Sequence, residues 1–557
     1  MFKHRKEPLD VFTLTLPLNA SILTKSTLDK VFRCANKIKN ELIAYAMNNI
    51  KQMERTREWR NIQFSLAEAY TISNELTKNI RVKTKDYEKA PRGYRDLGKE
   101  IRELNTQLKK NEAQIKALLL RRNEMIVKNN LTVSQLESRV QQYRKAYHML
   151  IQTHIAQRLA GDVSKAVEAY LYGNGEKLSF SKWTEFTSIY GKAEGDIKFI
   201  VKDMVVKLGK GKRRISIPVG RTNDKYGYED EALMRSVRYC GIIRKWYPNG
   251  WTYFLQIYLE GKPPVKINPQ TGEVLQPLGK GRVGHDIGPQ TLATVGDKST
   301  NLCVLAENVQ SIDNKLRLIN RAMDRSRRAT NPRMFNDKGE IVRIDHLPPE
   351  CVNKYGKRKW VKSKRYVKLE ARRRYLYRLQ AEQRTQAHNE LANKLIAFGD
   401  IHFIEKMNFS ALAKRAKKTE VSEKTGRMKR KKRFGKSIAN KAPAEFVNIL
   451  EKKVISQGGS FYRINTAEAK ASQYDHKAKA YKKKHLSQRW HVFDDGSKVQ
   501  RDLYSAFLLQ NTNDTLDGFI QESLKKKFNN FVMLHDKTLK ELETHTTVSS
   551  MGIQKAG

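Results

Sequence analysis

Cysteine is scarce and scattered in this chain. Cys34, Cys240, Cys303 and Cys351 are the four among 557 residues, and no two form a CxxC pair. That pattern excludes a disulfide framework and an all-cysteine zinc site, and it suits a reducing compartment. Long apolar runs are missing too. No stretch has the length or purity of a membrane span, and no signal-peptide or lipidation pattern is found. Acidic residues are in deficit: 58 Asp and Glu face 108 Lys and Arg, a formal charge of +50. A field of that size repels itself unless a polyanion neutralises it, so nucleic acid is the expected partner. An anionic membrane surface would meet the same charge, but without an apolar anchor no membrane partner is expected. The length exceeds what one core accommodates, so several domains are expected, in a cytoplasmic, nucleoid-associated protein.

What is present changes texture along the chain. Val11 to Leu18 alternates like a strand, with Pro17 at its end. From about residue 26 the period becomes helical: Ser26 or Thr27 can cap a helix carrying Leu28, Val31, Phe32, Ile38 and Leu42 on one face. Leu97, Ile101, Leu104, Leu108, Ile115 and Leu118 follow a heptad register interrupted by Asn111, which predicts a long helix packed on a neighbour. Alternation returns at Asp196–Val201, Arg214–Val219 and Thr252–Leu259. The pattern predicts a small β-barrel, assembled from the first strand (1–25) and later strands (191–278), with a helical lobe (26–190) inserted between them. From about 279 a further α/β core begins. A long helix from about Ser363 to Ala397 is expected to stop near Gly399, and helices at 444–456 and 499–509 flank a strand at 461–464. Beyond about Glu541 the tail (541–557) is polar and is expected to be disordered.

Three acids stand out in that core. Asp286 follows Val283-Gly284-His285, Glu405 follows Ile401-His402-Phe403-Ile404, and Asp502 heads Leu503-Tyr504-Ser505-Ala506. A single Asp at a strand end is more often a turn former or a surface charge than a ligand. Flanking apolar strand residues make the first two costly unless a cation partners them. Converging carboxylates suit magnesium, which prefers hard oxygen ligands, and two such ions about 3.5–4 Å apart supply what phosphodiester hydrolysis needs. Asp286 is the expected bridging ligand, with Glu405 and Asp502 completing the two shells.

These residues resemble motifs of the TnpB transposon-associated nucleases and the compact type V CRISPR effectors. Gly284-His285-Asp286-Ile287-Gly288 with Thr291-Leu292-Ala293-Thr294 resembles their first RuvC motif, and Ile404-Glu405-Lys406-Met407-Asn408 resembles the second. The stretch Phe434 to Ile438, with Phe446 and Leu450, resembles the segment before their zinc ribbon. Within the ribbon, Ser472-Gln473, Leu486 to Trp490 and Gly496, six residues before Asp502, resemble the family pattern. Its four cysteine positions, however, hold Asp475, Ala478, Val492 and Asp495. No thiolate zinc site can form there, so no structural zinc is expected. His476, His485, His491 and Asp494 leave room for an unusual metal site, although solvated polar residues explain them as well.

The resemblance implies a multidomain α+β protein of a prokaryotic cell. A RuvC-like, RNase H-type core spans 279–471 with a basic loop at 414–436, a ribbon-like insert spans 472–500, and the last core helix spans 501–540. The barrel strands stand for a wedge domain and the inserted helices for a recognition lobe. It further implies a magnesium-dependent endodeoxyribonuclease, with Asp286, Glu405 and Asp502 as catalytic residues and ligands of two Mg2+ ions. Its partners would be a guide RNA and double-stranded target DNA next to a short duplex motif; a pair of copies on one guide RNA stays open. An RNA-guided binder that does not cut, and a guide-free transposase or resolvase, are the alternatives.

Basic runs are weighed against solvated loops. Lys414 to Lys436 holds twelve Lys or Arg, including Lys429, Arg430, Lys431, Lys432 and Arg433. Lys482, Lys483 and Lys484, with Arg489, sit in the ribbon-like insert, and Arg372, Arg373 and Arg374 on the long helix. All are candidate phosphate contacts. Trp360, Tyr366 and Trp490 are candidate stacking residues, though core packing is the commoner fate.

Overall fold

In a computed structural model of the chain, the described residues are all except 1–9, 90–94, 148–149, 174, 176, 193–195, 210–213, 354–355, 417–418, 420, 422–427, 429–433, 486–487, 545–550 and 554–557. The chain forms two compact units. The first comprises Met1–Asp224, Glu229–Lys245 and Trp251–Gly261; the second comprises Lys225–Tyr228, Trp246–Gly250 and Lys262–Gly557. Among the described residues no helix is long and apolar enough to cross a membrane.

The chain opens with β1 (Val11–Pro17) and five helices: α1 (Ile22–Arg55), α2 (Arg57–Lys89), α3 (Arg95–Lys128), α4 (Val133–Lys145) and α5 (Thr153–Leu171). Helix α1 starts earlier than its apolar period suggests. Ser21 is the cap, accepting from the Thr24 N–H at 3.2 Å, whereas Thr27 is already inside the helix with its hydroxyl on Leu23 O. Helices α2 and α3 pair antiparallel, and the heptad's odd residue has a reason: Asn111 is buried and donates to Ala69 O across the pair at 2.8 Å.

Next come β2 (Ser188–Tyr190), β3 (Ile197–Ile200), β4 (Val205–Leu208), β5 (Ile215–Pro218), α6 (Tyr228–Leu233), β6 (Val237–Tyr247) and β7 (Gly250–Glu260). The expected barrel is corrected. Strands pair as an open sheet β1-β7-β6-β2 and a separate sheet β3-β4-β5, joined among the described residues by a single bridge, Leu18 with Val219. The three-residue edge β2 and the four-residue edges β3 and β5 are too short to ladder around and close. The sequence pattern missed β6 because an arginine sits on its buried side. Arg244 is enclosed by the rings of Phe32, Trp183 and Trp251 and donates to Phe186 O and Trp183 O.

The second unit is built on β8 (Arg282–Ile287), β9 (Thr291–Val295), β10 (Thr300–Val304), α7 (Asp313–Thr330), α8 (Lys364–Ile396), β11 (Ile401–Glu405), α9 (Phe409–Ala413), α10 (Gly435–Lys441), α11 (Pro443–Ser456), β12 (Ser460–Ile464) and α12 (Thr466–Ala469). Two hairpins follow, β13 (Tyr474–Asp475) with β14 (Ala480–Tyr481) and β15 (Trp490–Val492) with β16 (Lys498–Gln500), and then α13 (Arg501–Gln510) and α14 (Gln521–Glu543). Five strands make one sheet in the order β10-β9-β8-β11-β12, with β8, β9 and β10 antiparallel and β8, β11 and β12 parallel.

Both faces of this sheet are covered, so its strands read as nearly continuous apolar runs. Ile287, Leu292 and Ile404 join Leu395, Phe446 and Leu450 of α8 and α11 in one core, whereas Ala293 and Phe403 join Leu503, Phe507 and Leu508 of α13 in the other. Helix α13 lies very close to β8: a Cβ on Gly284 would fall 1.9 Å from Ala506 O, so only glycine fits there. Where a disordered tail was expected, α14 continues to Glu543 and Met551 is buried, with its carbonyl accepting from Gln500.

Candidate active site

Strand alternation decides where the acids point. Gly284 and Phe403 face α13, so Asp286 and Glu405, two residues further along each strand, face it as well. Strands β8 and β11 are parallel neighbours with Gly284 opposite Phe403, which brings both acids to the carboxyl ends of adjacent strands. Asp502 lies in the first turn of α13. Its helix is anchored there by Gln500, whose side chain accepts from the Leu503 N–H at 2.8 Å and donates to Met551 O.

Asp286 senses the other two carboxylates. Burial drives the Asp286 carboxyl well above its ordinary range, and the charges of Asp502 and Glu405 add to that. Arg501 and a hydrogen bond from Ser505 oppose the rise. Burial raises Glu405 to about 6 against a backbone N–H from Ala471. Its Oε1 is buried with no hydrogen-bond partner, which is costly for a carboxylate. Asp502 has a cation beside it: Arg501 places Nε and Nη2 at 3.3 and 3.2 Å from the same oxygen, Oδ1.

The donor set is all carboxylate oxygen, which suits a hard divalent cation. Among the described residues no three His, Cys, Asp or Glu side chains already stand as a cage for an ion. Sequence reasoning missed Arg501 and Ser505, although both lie on the helix that carries Asp502. An arginine beside an aspartate reads as an ordinary surface pair, and only the fold reveals that this one reaches the cluster.

Residues 472–500, whose sequence resembles a ribbon, carry the two hairpins β13–β14 and β15–β16. Asp475 Oδ1 accepts from the Lys477 and Ala478 N–H groups at 2.9 and 3.1 Å, and Asp495 Oδ1 accepts from Ser497 N at 3.0 Å. Gly496, at φ +79°, makes the second turn. Polar links cross between the hairpins: Lys477 Nζ to Asp495 Oδ2 at 2.7 Å and to Ser497 Oγ at 3.3 Å, and His491 Nε2 to Asp475 Oδ2 at 3.0 Å. The other ring nitrogen of His491 meets Lys484, and His476 Nδ1 meets the Tyr504 hydroxyl at 2.7 Å. Two of the histidines weighed as metal ligands, His491 and His476, thus have protein partners for their rings, while the backbone N–H of His485 donates to Gln488 Oε1.

Other expected contacts are dispersed. On α8, Arg372 is exposed, Arg373 donates to Asn320, and Arg374 lies over the Trp246 ring. Lys482 and Lys483 are exposed, and Arg489 is partly buried. Lys429 to Arg433, and Leu486 and Ser487 of the ribbon pattern, lie outside the described residues. Trp360 packs with Phe335 and Arg327, and Trp490 donates to Gly552 O, so both serve packing within the protein.

No family model matches this chain, and no curated protein does. Among solved structures it is similar to the cryo-EM structure of a CRISPR-Cas12f ternary complex, at 12% identity over 90% of this chain and 99% of that one. The TM-score is 0.22, too low for the likeness to carry an argument.

Proposed function

We propose that the second unit is a divalent-cation-dependent nuclease domain that hydrolyses phosphodiester bonds, with Asp286, Glu405 and Asp502 as its working carboxylates. One observation carries the reading. Asp286 and Glu405, at the carboxyl ends of adjacent parallel strands, face the helix whose first turn carries Asp502; burial pushes both of them up, and the charges of the other two acids push Asp286 further. Proteins tolerate such a cluster mainly where function uses it. The meander of three strands followed by two parallel ones, with the acids on β8, β11 and α13, is the arrangement we read as RNase H-like, specifically RuvC-like.

Asp286, Glu405 and Asp502 are the residues that would hold two Mg2+ ions. Bound there, the ions would acidify an attacking water and neutralise the phosphoryl oxygens. The protein's own part is to hold the carboxylates ionised and aimed. Ser505 and the Ala471 N–H favour the charged forms of Asp286 and Glu405, and Gln500 fixes the turn that carries Asp502.

The motif resemblances and the +50 charge support a finer reading: an RNA-guided DNA endonuclease. It would pair its guide with one strand of double-stranded DNA beside a short flanking motif, with a wedge formed by the β1 sheet and a recognition lobe formed by α1 to α5. The test is purification with sequencing of any bound RNA, followed by a challenge with a plasmid library. The reading predicts copurifying RNA, magnesium-dependent cleavage, and loss of cutting with retained RNA in Asp286→Ala. Cleavage without RNA would favour a transposase or resolvase, and occupancy without cleavage a binding protein.

A further inference from the structure

The acid cluster already holds one cation. Arg501 and Asp502 are each only 14% exposed in their side chains, so solvent screens this pair weakly. The guanidinium is held from the ribbon side as well, donating from Nη1 to Gln488 O at 3.0 Å while its backbone N–H donates to Arg489 O. It uses Nε and Nη2 on one oxygen of Asp502, whereas this planar fork is built to span two oxygens of a carboxylate or phosphate. The pairing is therefore a compromise for both groups.

A second cation stands close by. Lys484 is partly buried, rests on His491 and lies near the Tyr504 ring. Burial pulls its ammonium down to about 8, and the charge of Arg501 contributes to that against the opposing pull of Asp475. Two half-buried cations that repel each other beside an acid cluster favour an anion between them.

We propose that Arg501 is the internal counter-ion that a divalent cation must displace from Asp502, and that the freed guanidinium then takes an oxygen of the phosphodiester being cut. The inference rests on the nuclease reading above. In it Arg501 restrains ion binding while no nucleic acid is present and assists the reaction once it is.

The experiment measures Mn2+ affinity of the purified full chain by electron paramagnetic resonance, without added DNA, and cleavage at saturating Mn2+. Arg501→Gln should bind Mn2+ about tenfold more tightly than wild type, the order expected when a unit charge leaves a weakly screened contact, and should cut more slowly. Arg501→Met keeps the aliphatic stem and should behave alike, so the proposal stays testable if one variant fails to fold by thermal melting. Unchanged or weaker Mn2+ binding in a folded variant overturns the counter-ion role. Cutting at the wild-type rate or faster overturns the phosphate role. Wild-type protein that cuts, with variants of unaltered Mn2+ affinity, removes this inference and leaves the nuclease reading standing. Absence of Mn2+ binding in all three proteins removes both.

Discussion

His285 donates from Nε2 to Nδ1 of His402 across β8 and β11 at 2.8 Å, with the two rings edge to edge and 9° from coplanar. The direction follows from the ends of the chain: Gly399 O can only accept, so His402 Nε2 carries a proton at 2.9 Å, and Thr294 must donate to His285 Nδ1 at 2.9 Å. Both rings are fully buried, and burial lowers both, His402 to about 4, so the relay is neutral at pH 7. It lies on the sheet face opposite Asp286 and Glu405 and ties together the two strands that carry them.

His402→Leu therefore leaves the His285 N–H buried and unpaired. The expected loss is about 1–3 kcal/mol, seen as a lowered melting transition. The double variant His285→Ile with His402→Leu removes both partners and should recover most of it. A double variant as unstable as the sum of the two singles would show that the relay contributes through packing alone.

The acid cluster opposes folding at neutral pH. Glu405 is raised from 4.5 to about 6, and an acid whose folded value is raised contributes stability that is present below its unfolded value and lost as pH rises through the folded one. Glu405→Gln should accordingly stabilise the protein by about 2 kcal/mol at most above pH 6, with the gain vanishing below about pH 4.5. Asp286→Asn should stabilise in the same direction. Melting scans at pH 4, 6 and 8 check the sign, and destabilisation by both at pH 8 would contradict it.

That same carboxyl sets the acid limit of ion binding. A divalent ion needs Glu405 ionised and competes with its proton, so Mn2+ affinity should fall as pH drops through about 6 and fall less steeply in Glu405→Gln, where the raised carboxyl of Asp286 still competes. A wild-type affinity that stays constant from pH 5 to 8 would take Glu405 out of the ligand set.

Asp286 and Glu405 were legible because each closes an apolar, alternating strand, where a charge needs a reason. Asp502 was legible by its distance from Gly496. Arg501, Ser505 and the buried Arg244 were not, because their roles depend on partners brought in by folding: Gln488 and the acid cluster for the first two, and Trp183 and Trp251 for the third. The barrel expectation failed for a related reason. Alternation identifies strands but does not say whether three- and four-residue edges can find each other. Gly284 belongs to a motif, yet its necessity comes from Ala506 of a helix more than two hundred residues later.

In the ribbon-like insert, two aspartates hold the turns at positions where cysteines were expected. Burial acts to raise the Asp475 carboxyl, but the Ala478 N–H, His491 and the Lys477 N–H outweigh it and hold the group below its ordinary 3.8. A depressed acid contributes stability that is present above its unfolded value and lost as pH falls through the folded one, so this hairpin should loosen only below about pH 4. Asp475→Ala removes the acceptor of two backbone N–H groups and the partner of His491 at once, and about 2–4 kcal/mol of local stability should go with it. Because Arg501 donates its outer hydrogen bond to Gln488 O in this insert, the loss should reach the acid cluster and slow cutting as well. Incubation with a zinc chelator should leave limited proteolysis of wild-type residues 472–500 unchanged, while Asp475→Ala should accelerate it. Chelator-induced cleavage, with one zinc per chain by elemental analysis, would show that a metal holds this insert after all.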